Sequence, residues 1–597
     1  MFENFNLDKI KLSDKYFSVR RETAKKYVND FDINRLMHTF RKNAGIESLA
    51  EPLGGWESEE CNLRGHFVGH FLSACSKFAF SDNDDCLKTK ADNIVKIMAE
   101  CASENGYLSA FGEEMLDILE TEEDRGVWAP YYTLHKILQG LVDCYLFLNN
   151  KTALSLAVNL AHYIRRRFER LSYWKTDGIL RCTRVNPVNE FGGIGDVLYS
   201  LYEITGDRKI FDLADIFNRD YFIGNLAADR DVLEDLHANT HLPMVISAIH
   251  RFNLTGEYKY KHAAQNFYKY LLGRTFVNGN SSSKATSFKK GEVSEKSEHW
   301  GAHNHLENSL TGGESESCCA HNTEKIVQQL FAWTEDERFL EHLEILKYNA
   351  VLNSTSTVTG LSQYQQPMGT GVKKNFSGLF DTFWCCTGTG IEAMSEIQKN
   401  IWFKDKDTLL LNMFIASTVQ WDEKNVKIVQ NTAYPDNTVS VLTVSTSNPV
   451  SFTLMLRKSQ VKSVKINGKS FNFIADNGYI YIKRIFNNND TIEIEIDSSL
   501  HLIQLKGSEN KAAVMYDRIL LAQLGQKPYL DAIDCDNVNQ RLIKAGSPLL
   551  SFKICDNEDG CTEFIPLFRV EDEIYSVYHS FSPLFPSRFQ STEDLLP

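Results

Sequence analysis

A basic surplus is missing from this 597-residue chain: 64 Lys and Arg stand against 78 Asp and Glu, a net charge of −14. Binding to a phosphate backbone needs clustered cations, so no nucleic-acid partner is expected. Long apolar runs are missing too. Nothing approaches the roughly 20 residues needed to cross a bilayer, so no membrane partner is expected. The first ten residues, Met1 to Ile10, carry early acids and no apolar stretch, unlike a secretion signal, and a cytoplasmic location is the expectation. The 13 cysteines are odd in number and scattered, so no disulfide framework shows. At 68.1 kDa the chain exceeds what one hydrophobic core serves, which points to about two to four domains.

What is present begins with helical periodicity. From about residue 15 to 400, apolar residues recur at three- and four-residue spacing, as in Leu134, Ile137, Leu138, Leu141, Val142 and Tyr145. A weak repeat runs through this half. "ITGDRKIFDLA" from Ile204 is echoed by "LTGEYKYKHAA" from Leu254, and more loosely by "LNNKTALSLA" from Leu148 and "WTEDERFLEHL" from Trp333. In each, a helix ends at Gly or Asn and an acid caps the next one. Repeating helical hairpins imply a solenoid or a closed toroid with a central funnel. After about residue 402 the pattern turns to alternation, as in "TVSVLTVST" and "TIEIEID", which reads as antiparallel strands of a β-sandwich. The expected fold class is therefore multidomain α+β: helical domain 1–402, β-sandwich 403–510, and a second, smaller sandwich-like domain 511–597. Val277 to Ser297, rich in Ser, Lys and Gly, reads as a long loop.

Two cysteine clusters carry the strongest chemical signal. Cys385-Cys386 lies in "FWCCTGTG", and Cys318-Cys319 follows Glu316. Free cysteine is often simply buried. Two clusters with a nearby carboxylate, however, offer three sulfurs and one oxygen, a ligand set that suits Zn2+. Polar clusters elsewhere in the helical half exceed what folding requires. They are His66 and His70, spaced four apart; His135 behind an aromatic run of Trp128, Tyr131 and Tyr132; Glu190 and Asp196; His237, Asn239 and His241; and Glu298, His299, His303 and His305. Interleaved with aromatics, they suit a sugar pocket, in which rings stack on C–H faces and polar groups bond hydroxyls. His66 and His70 lack the Glu-x-x-His frame of a metal helix, so a sugar-contacting role is expected instead. Glu298 is the candidate acid/base, with Glu292 and Glu295 as neighbours that sequence does not exclude.

These motifs make the chain similar to the β-L-arabinofuranosidases of glycoside hydrolase families 127 and 146. The matching segments are "YLSAF" from Tyr107, "LRGHFVGH", "WAPYYTLHKILQGL", "NEFGGIGDVLYSLYEITGD", "LHANTHLP", "SEHW", "ESCCAHN" and "FWCCTGTGIE", with "IPLFRVEDEIYSVYH" near the end. The resemblance implies an (α/α)6 barrel followed by β-sandwich domains, and zinc held by Glu316, Cys318, Cys385 and Cys386. It also implies Cys385 as nucleophile of a retaining reaction, Glu298 as acid/base and His135 as a sugar contact, with Glu190, His237 and His241 in the pocket. The activity it implies is release of terminal β-L-arabinofuranose from oligosaccharides, by one chain or a homodimer. An acidic pectin furanoside, with Arg64 or Lys136 meeting its carboxylate, and a non-catalytic sugar-binding protein with structural zinc are the alternatives. Departures from the family pattern are Cys319-Ala320-His321-Asn322 after Cys318, Trp300 in "EHW", Gly195-Asp196, and "LRKSQ" from Leu456, which is expected to affect only a loop.

Overall fold

The computed structural model describes residues 1–121, 126–181, 189–287, 294–526, 533, 537–546, 548–556 and 560–581. Twelve helices build the first domain as an (α/α)6 barrel. Six form the inner ring: α2 (His66–Asp82), α4 (Pro130–Leu148), α6 (Ile194–Thr205), α8 (Ala238–Thr255), α10 (Ser317–Thr334) and α12 (Cys385–Ser395). Each packs on the next, and α12 closes the ring on α2. The outer helices are α1 (Phe17–Asp30), α3 (Asp85–Cys101), α5 (Lys151–Phe168), α7 (Arg208–Phe217), α9 (Tyr258–Leu272) and α11 (Glu337–Leu346). Burial follows position. Every residue of α12 is buried, whereas outer helices such as α7 bury one apolar stripe.

Inner helices pass to outer ones through two-residue turns, and the sequence repeat is this turn. Asn83, Asn149, Gly206, Gly256 and Glu335 end their helices in the left-handed conformation. Asp84, Asn150, Asp207 and Asp336 then cap the next helix by accepting from its first free N–H groups. Glu257 holds the cap position without a side-chain capping bond. The outer-to-inner connections are long (31–65, 102–129, 169–193, 218–237, 273–316 and 347–384), and all return to the N-terminal ends of the inner helices.

Two sheets, of six and seven strands, form the sandwich after the barrel. Alternation follows the expected pattern: in Thr491–Ile496, Ile492, Ile494 and Ile496 are buried while Thr491, Glu493 and Glu495 are half-buried. Each sheet also recruits a strand from the N-terminus. Glu3–Asn4 pairs with Trp402–Asp405, and Ile10–Leu12 pairs with Ser417–Trp421. A third sheet, of eight strands, begins at Leu500–Gln504 and packs Ile503, Met515 and Tyr578 against Phe276, Leu306 and Met368 of the barrel connections. No described helix is long and apolar enough to cross a membrane.

Three sequence expectations need correction. The segment from Val277 holds a hairpin, Ser283–Ser287 with Ser294–His299, and is not a loop throughout. Its strands are Ser- and Lys-rich, so backbone pairing leaves no apolar alternation to read. Cys555 and Cys561 form a disulfide across a paired hairpin near the C-terminus. The "LRKSQ" segment is more than a loop: Arg457 and Gln460 are buried and both donate to the buried Glu344 carboxylate of α11, joining sandwich to barrel.

Candidate active site

All six inner helices present their N-termini at one mouth of the barrel, and the long connections surround it. Four donors meet there. Glu316 occupies the N-cap of α10 without capping it, and its carboxylate faces the sulfurs. Cys318 lies in the first turn of α10, and Cys385 and Cys386 open α12. One ligand atom from each of the four lies within 4.8 Å of the others, and all four residues are buried. Cys318 Sγ is 3.2 Å from Cys386 Sγ, which is 3.8 Å from Cys385 Sγ; Glu316 Oε1 is 4.0 Å from Cys385 Sγ and 3.9 Å from Cys386 Sγ. A tetrahedral ion with metal–sulfur bonds of about 2.3 Å needs sulfur–sulfur edges near ~3.8 Å, so the set fits one with a small opening of the shortest edge.

The electrostatics agree with that fit. Burial and the Cys318 charge push Glu316 well above the carboxylate range. Hydrogen bonds to Cys318 and Cys386, with burial, push Cys385 well above the thiol range, and burial does the same to Cys386. For Cys318, burial opposes ionisation, but bonds from Cys385, Cys386 and Thr389 outweigh it and hold the thiol well below its usual value. Four anionic donors in a buried cluster repel one another, and a cation removes that penalty. The helix N-termini favour thiolates in the same direction. Cys319 Sγ lies 3.6 Å from Glu316 Oε2, so the extra thiol touches a member of the set without joining it.

Glu298 stands on the strand Ser294–His299 in a left-handed conformation (φ 68°) that costs a non-glycine residue ~1–2 kcal/mol. Two partners hold its carboxylate there. Tyr364 Oη donates to Oε1, and His237 Nε2 lies 3.3 Å from Oε2. Tyr364 is also linked to the cysteines, since its carbonyl is 3.8 Å from Cys386 Sγ. His237 Nε2 is 3.6 Å from Glu190 Oε1 as well. Burial disfavours a charged His237, but Glu190 and Glu298 overcome it and raise the imidazole above its usual value. Burial, reinforced by Glu298, raises Glu190. Glu292 lies outside the described residues.

Below the mouth, a cavity runs into the barrel, lined by His135, Lys136, Glu190, Thr240, Asn322 and Lys325 among others. His135 is held neutral, well below its usual pKa, by burial and by Lys136. Gly193 makes room for it, because a Cβ there would come within 2.1 Å of the ring. Aromatic walls complete the site: Trp56 packs on Trp128 and Tyr364, and Tyr364 packs on Trp384.

The expected site residues thus divide into two groups. Glu316, Cys318, Cys385, Cys386, Glu298, His237, Glu190 and His135 gather at the mouth and cavity. His66, His70 and His241 are 0% exposed and stand behind the wall. His66 Nδ1 bonds the Leu63 carbonyl and lies 2.9 Å from Glu57, whose carboxylate caps α2. His70 Nε2 meets Tyr132 Oη at 3.2 Å, and burial lowers its pKa to about 4. His241 bonds Tyr221 Oη and the His237 carbonyl. Each of the three rings is bonded within the protein and supports residues beside the site; direct sugar contact stays an expectation for them. Trp56, Tyr364 and Lys325 were not anticipated. Trp56 follows a Gly-Gly turn, a usable signal; Tyr364, in "SQYQQP", has none.

Comparison with known proteins supplies the remaining evidence. The family model for the β-L-arabinofuranosidase GH127 catalytic domain matches residues 9–399, and that for the GH127 middle domain matches 408–498. A GH127 β-arabinofuranosidase structure superposes with TM-score 0.75 at 15% identity, covering 99% of each chain. A GH127 β-L-arabinofuranosidase from Geobacillus stearothermophilus T6 does so at 0.72 and 17%, covering 96% of this chain and 100% of its own. No curated protein sequence matches. With two family models spanning the barrel and the sandwich, the chain belongs to the GH127 β-L-arabinofuranosidase family and is a glycoside hydrolase.

Proposed function

We propose that the protein is a retaining exo-acting hydrolase that releases terminal β-L-arabinofuranose from oligosaccharides, with Cys385 as nucleophile and Glu298 as acid/base. The observation that carries this reading is the link through Tyr364, which joins the acid/base carboxylate to the four-donor cluster across the barrel mouth. A zinc ion held by Glu316, Cys318, Cys385 and Cys386 would supply charge neutralisation, keeping Cys385 a thiolate at neutral pH. The Cys385 sulfur attacks the anomeric carbon as Glu298 gives its proton to the departing oxygen; the C–O bond breaks and a C–S bond forms. Glu298, now a carboxylate, takes a proton from water. The oxygen of that water displaces the sulfur, which returns as a thiolate, and inversion twice gives retention. His237, made more basic by its carboxylate neighbours, orients Glu298, while His135 and Glu190 are placed for sugar hydroxyls.

The test is hydrolysis of 4-nitrophenyl β-L-arabinofuranoside, with metal content measured in parallel. Wild type should turn over with about one zinc per chain, and Glu298→Gln should keep the metal while losing turnover. Full activity in Cys385→Ala would overturn the assignment. A second reading, an acidic furanoside of pectin, is supported by Lys136 and Lys325, both lining the cavity. Preference for a carboxylated furanoside, lost in Lys325→Met, would select it.

A further inference from the structure

Cys319 lies beside the four-donor cluster but is not a member of it. It is fully buried and packs into the main apolar core of the barrel, whereas Cys318, Cys385 and Cys386 group with Tyr132 at the mouth. Successive residues of a helix point about 100° apart, which is why the neighbours Cys318 and Cys319 reach different surroundings. A side chain enclosed in this way does not meet substrate, so any part it plays in the reaction runs through the groups it touches.

The group it touches is Glu316. The backbone of Glu316 is held in place: its carbonyl accepts from Asn280 Nδ2 at 2.7 Å and from the Ala320 N–H at 3.3 Å. Its side chain is long and flexible, and it sits at the N-cap of α10. At that position a side-chain oxygen ordinarily accepts from the N–H groups of the first turn, and the helix dipole draws an anion the same way. A Glu316 carboxylate that folded back to cap the helix would be drawn away from the sulfurs. Instead its two oxygens have separate partners. Oε1 faces Cys385 and Cys386 at 4.0 and 3.9 Å, while Oε2 accepts from the Cys319 thiol at 3.6 Å. Cys319 is the third residue of the helix, so its S–H stands in for the N–H that a capping side chain would take. We propose that Cys319 is a positioning residue for the four-donor cluster: by engaging Oε2 it keeps Glu316 out of the capping geometry and presents Oε1 to the sulfurs. This rests on the metal reading above. Partners that touch a ligand rather than the ion fix that ligand's orientation, and with it the affinity of the site.

The test is zinc affinity, measured by chelator competition on the full chain in wild type, Cys319→Ala and Cys319→Ser. Loss of the donor in Cys319→Ala should weaken zinc binding about 10–100-fold, the usual cost of removing such a partner. Cys319→Ser keeps a donor and should recover most of that loss. Cobalt(II) in place of zinc reads the ligand arrangement directly: the visible spectrum of Cys319→Ser should match wild type, and that of Cys319→Ala should differ. Thermal melting of the zinc-free proteins separates positioning from packing, and wild type and Cys319→Ala should melt nearly together. Equal zinc affinity and equal cobalt spectra in wild type and Cys319→Ala would overturn the role alone. So would a Cys319→Ala defect that appears undiminished in the zinc-free protein, since that is a loss of packing. If wild type itself takes up no zinc, the metal reading fails and the positioning role falls with it.

Discussion

The two faces of the barrel are built from the same twelve helices yet follow opposite rules. On one face, five two-residue turns reverse the chain; each has a left-handed residue, and four of the five add a side-chain cap. On the other, six long connections deliver Trp56, Trp128, Glu190, His237, Glu298 and Tyr364, one from each, to the ring of inner helix N-termini. Local rules suffice where only a reversal is needed. Where chemistry is assembled, each residue is placed by contacts distant in sequence. Function accumulates on the second face because long connections can vary without disturbing the helix pairs beneath them.

Substitutions at the long-connection mouth should cost activity and little fold. Glu298→Gln is expected to lower kcat by about 10²–10⁴-fold with an unchanged circular dichroism spectrum, as loss of general acid–base catalysis implies. A variant that unfolds instead would blur the distinction between the faces. Removing a metal held by the four-donor cluster should cost both. Dialysis against a chelator, or Cys386→Ala, is expected to abolish turnover and lower the melting temperature, because the four donors tie the starts of α10 and α12 together.

His250 sits between the faces and sharpens the comparison through pH. Burial lowers its pKa, but Asp196 at 2.8 Å and Glu203 at 3.0 Å outweigh burial and raise it to about 9. The folded value exceeds the unfolded one, so the contribution to stability is complete below about pH 6.5 and is lost as pH rises through about 9. Urea titrations across that window should show a decline of at most ~3 kcal/mol, flattened in His250→Gln. The smallest effect belongs to the short-turn face. Asp207→Ala removes a bond to the Lys209 N–H and should cost about 1 kcal/mol of stability with kcat/KM unchanged. A loss of activity there would break the division between the faces.

How much of this was legible in the sequence depends on how local the cause was. The Gly206-Asp207 type of turn is written within a few residues, and strand alternation such as Thr491–Ile496 within six, so both could be read directly. The four-donor cluster was readable because vicinal cysteines are rare and chemically distinct. Tyr364 was not, since nothing in its neighbourhood shows that its hydroxyl and its carbonyl serve two different groups. Nor was the depth of His66, His70 and His241. Helical spacing shows that His66 and His70 share a flank, but not that they face neighbouring helices instead of the cavity. Arg457 was mistaken for a loop residue because its buried partner, Glu344, belongs to another domain.

The strands Glu3–Asn4 and Ile10–Leu12 have a consequence for synthesis. Both find their partners in residues 402–421, so this segment must wait for almost four hundred more residues before it can pair. Closing so long a loop is entropically costly and slow compared with docking adjacent helices. The nascent barrel therefore emerges with this segment unattached, and completion of the sandwich is the event that fastens it in place.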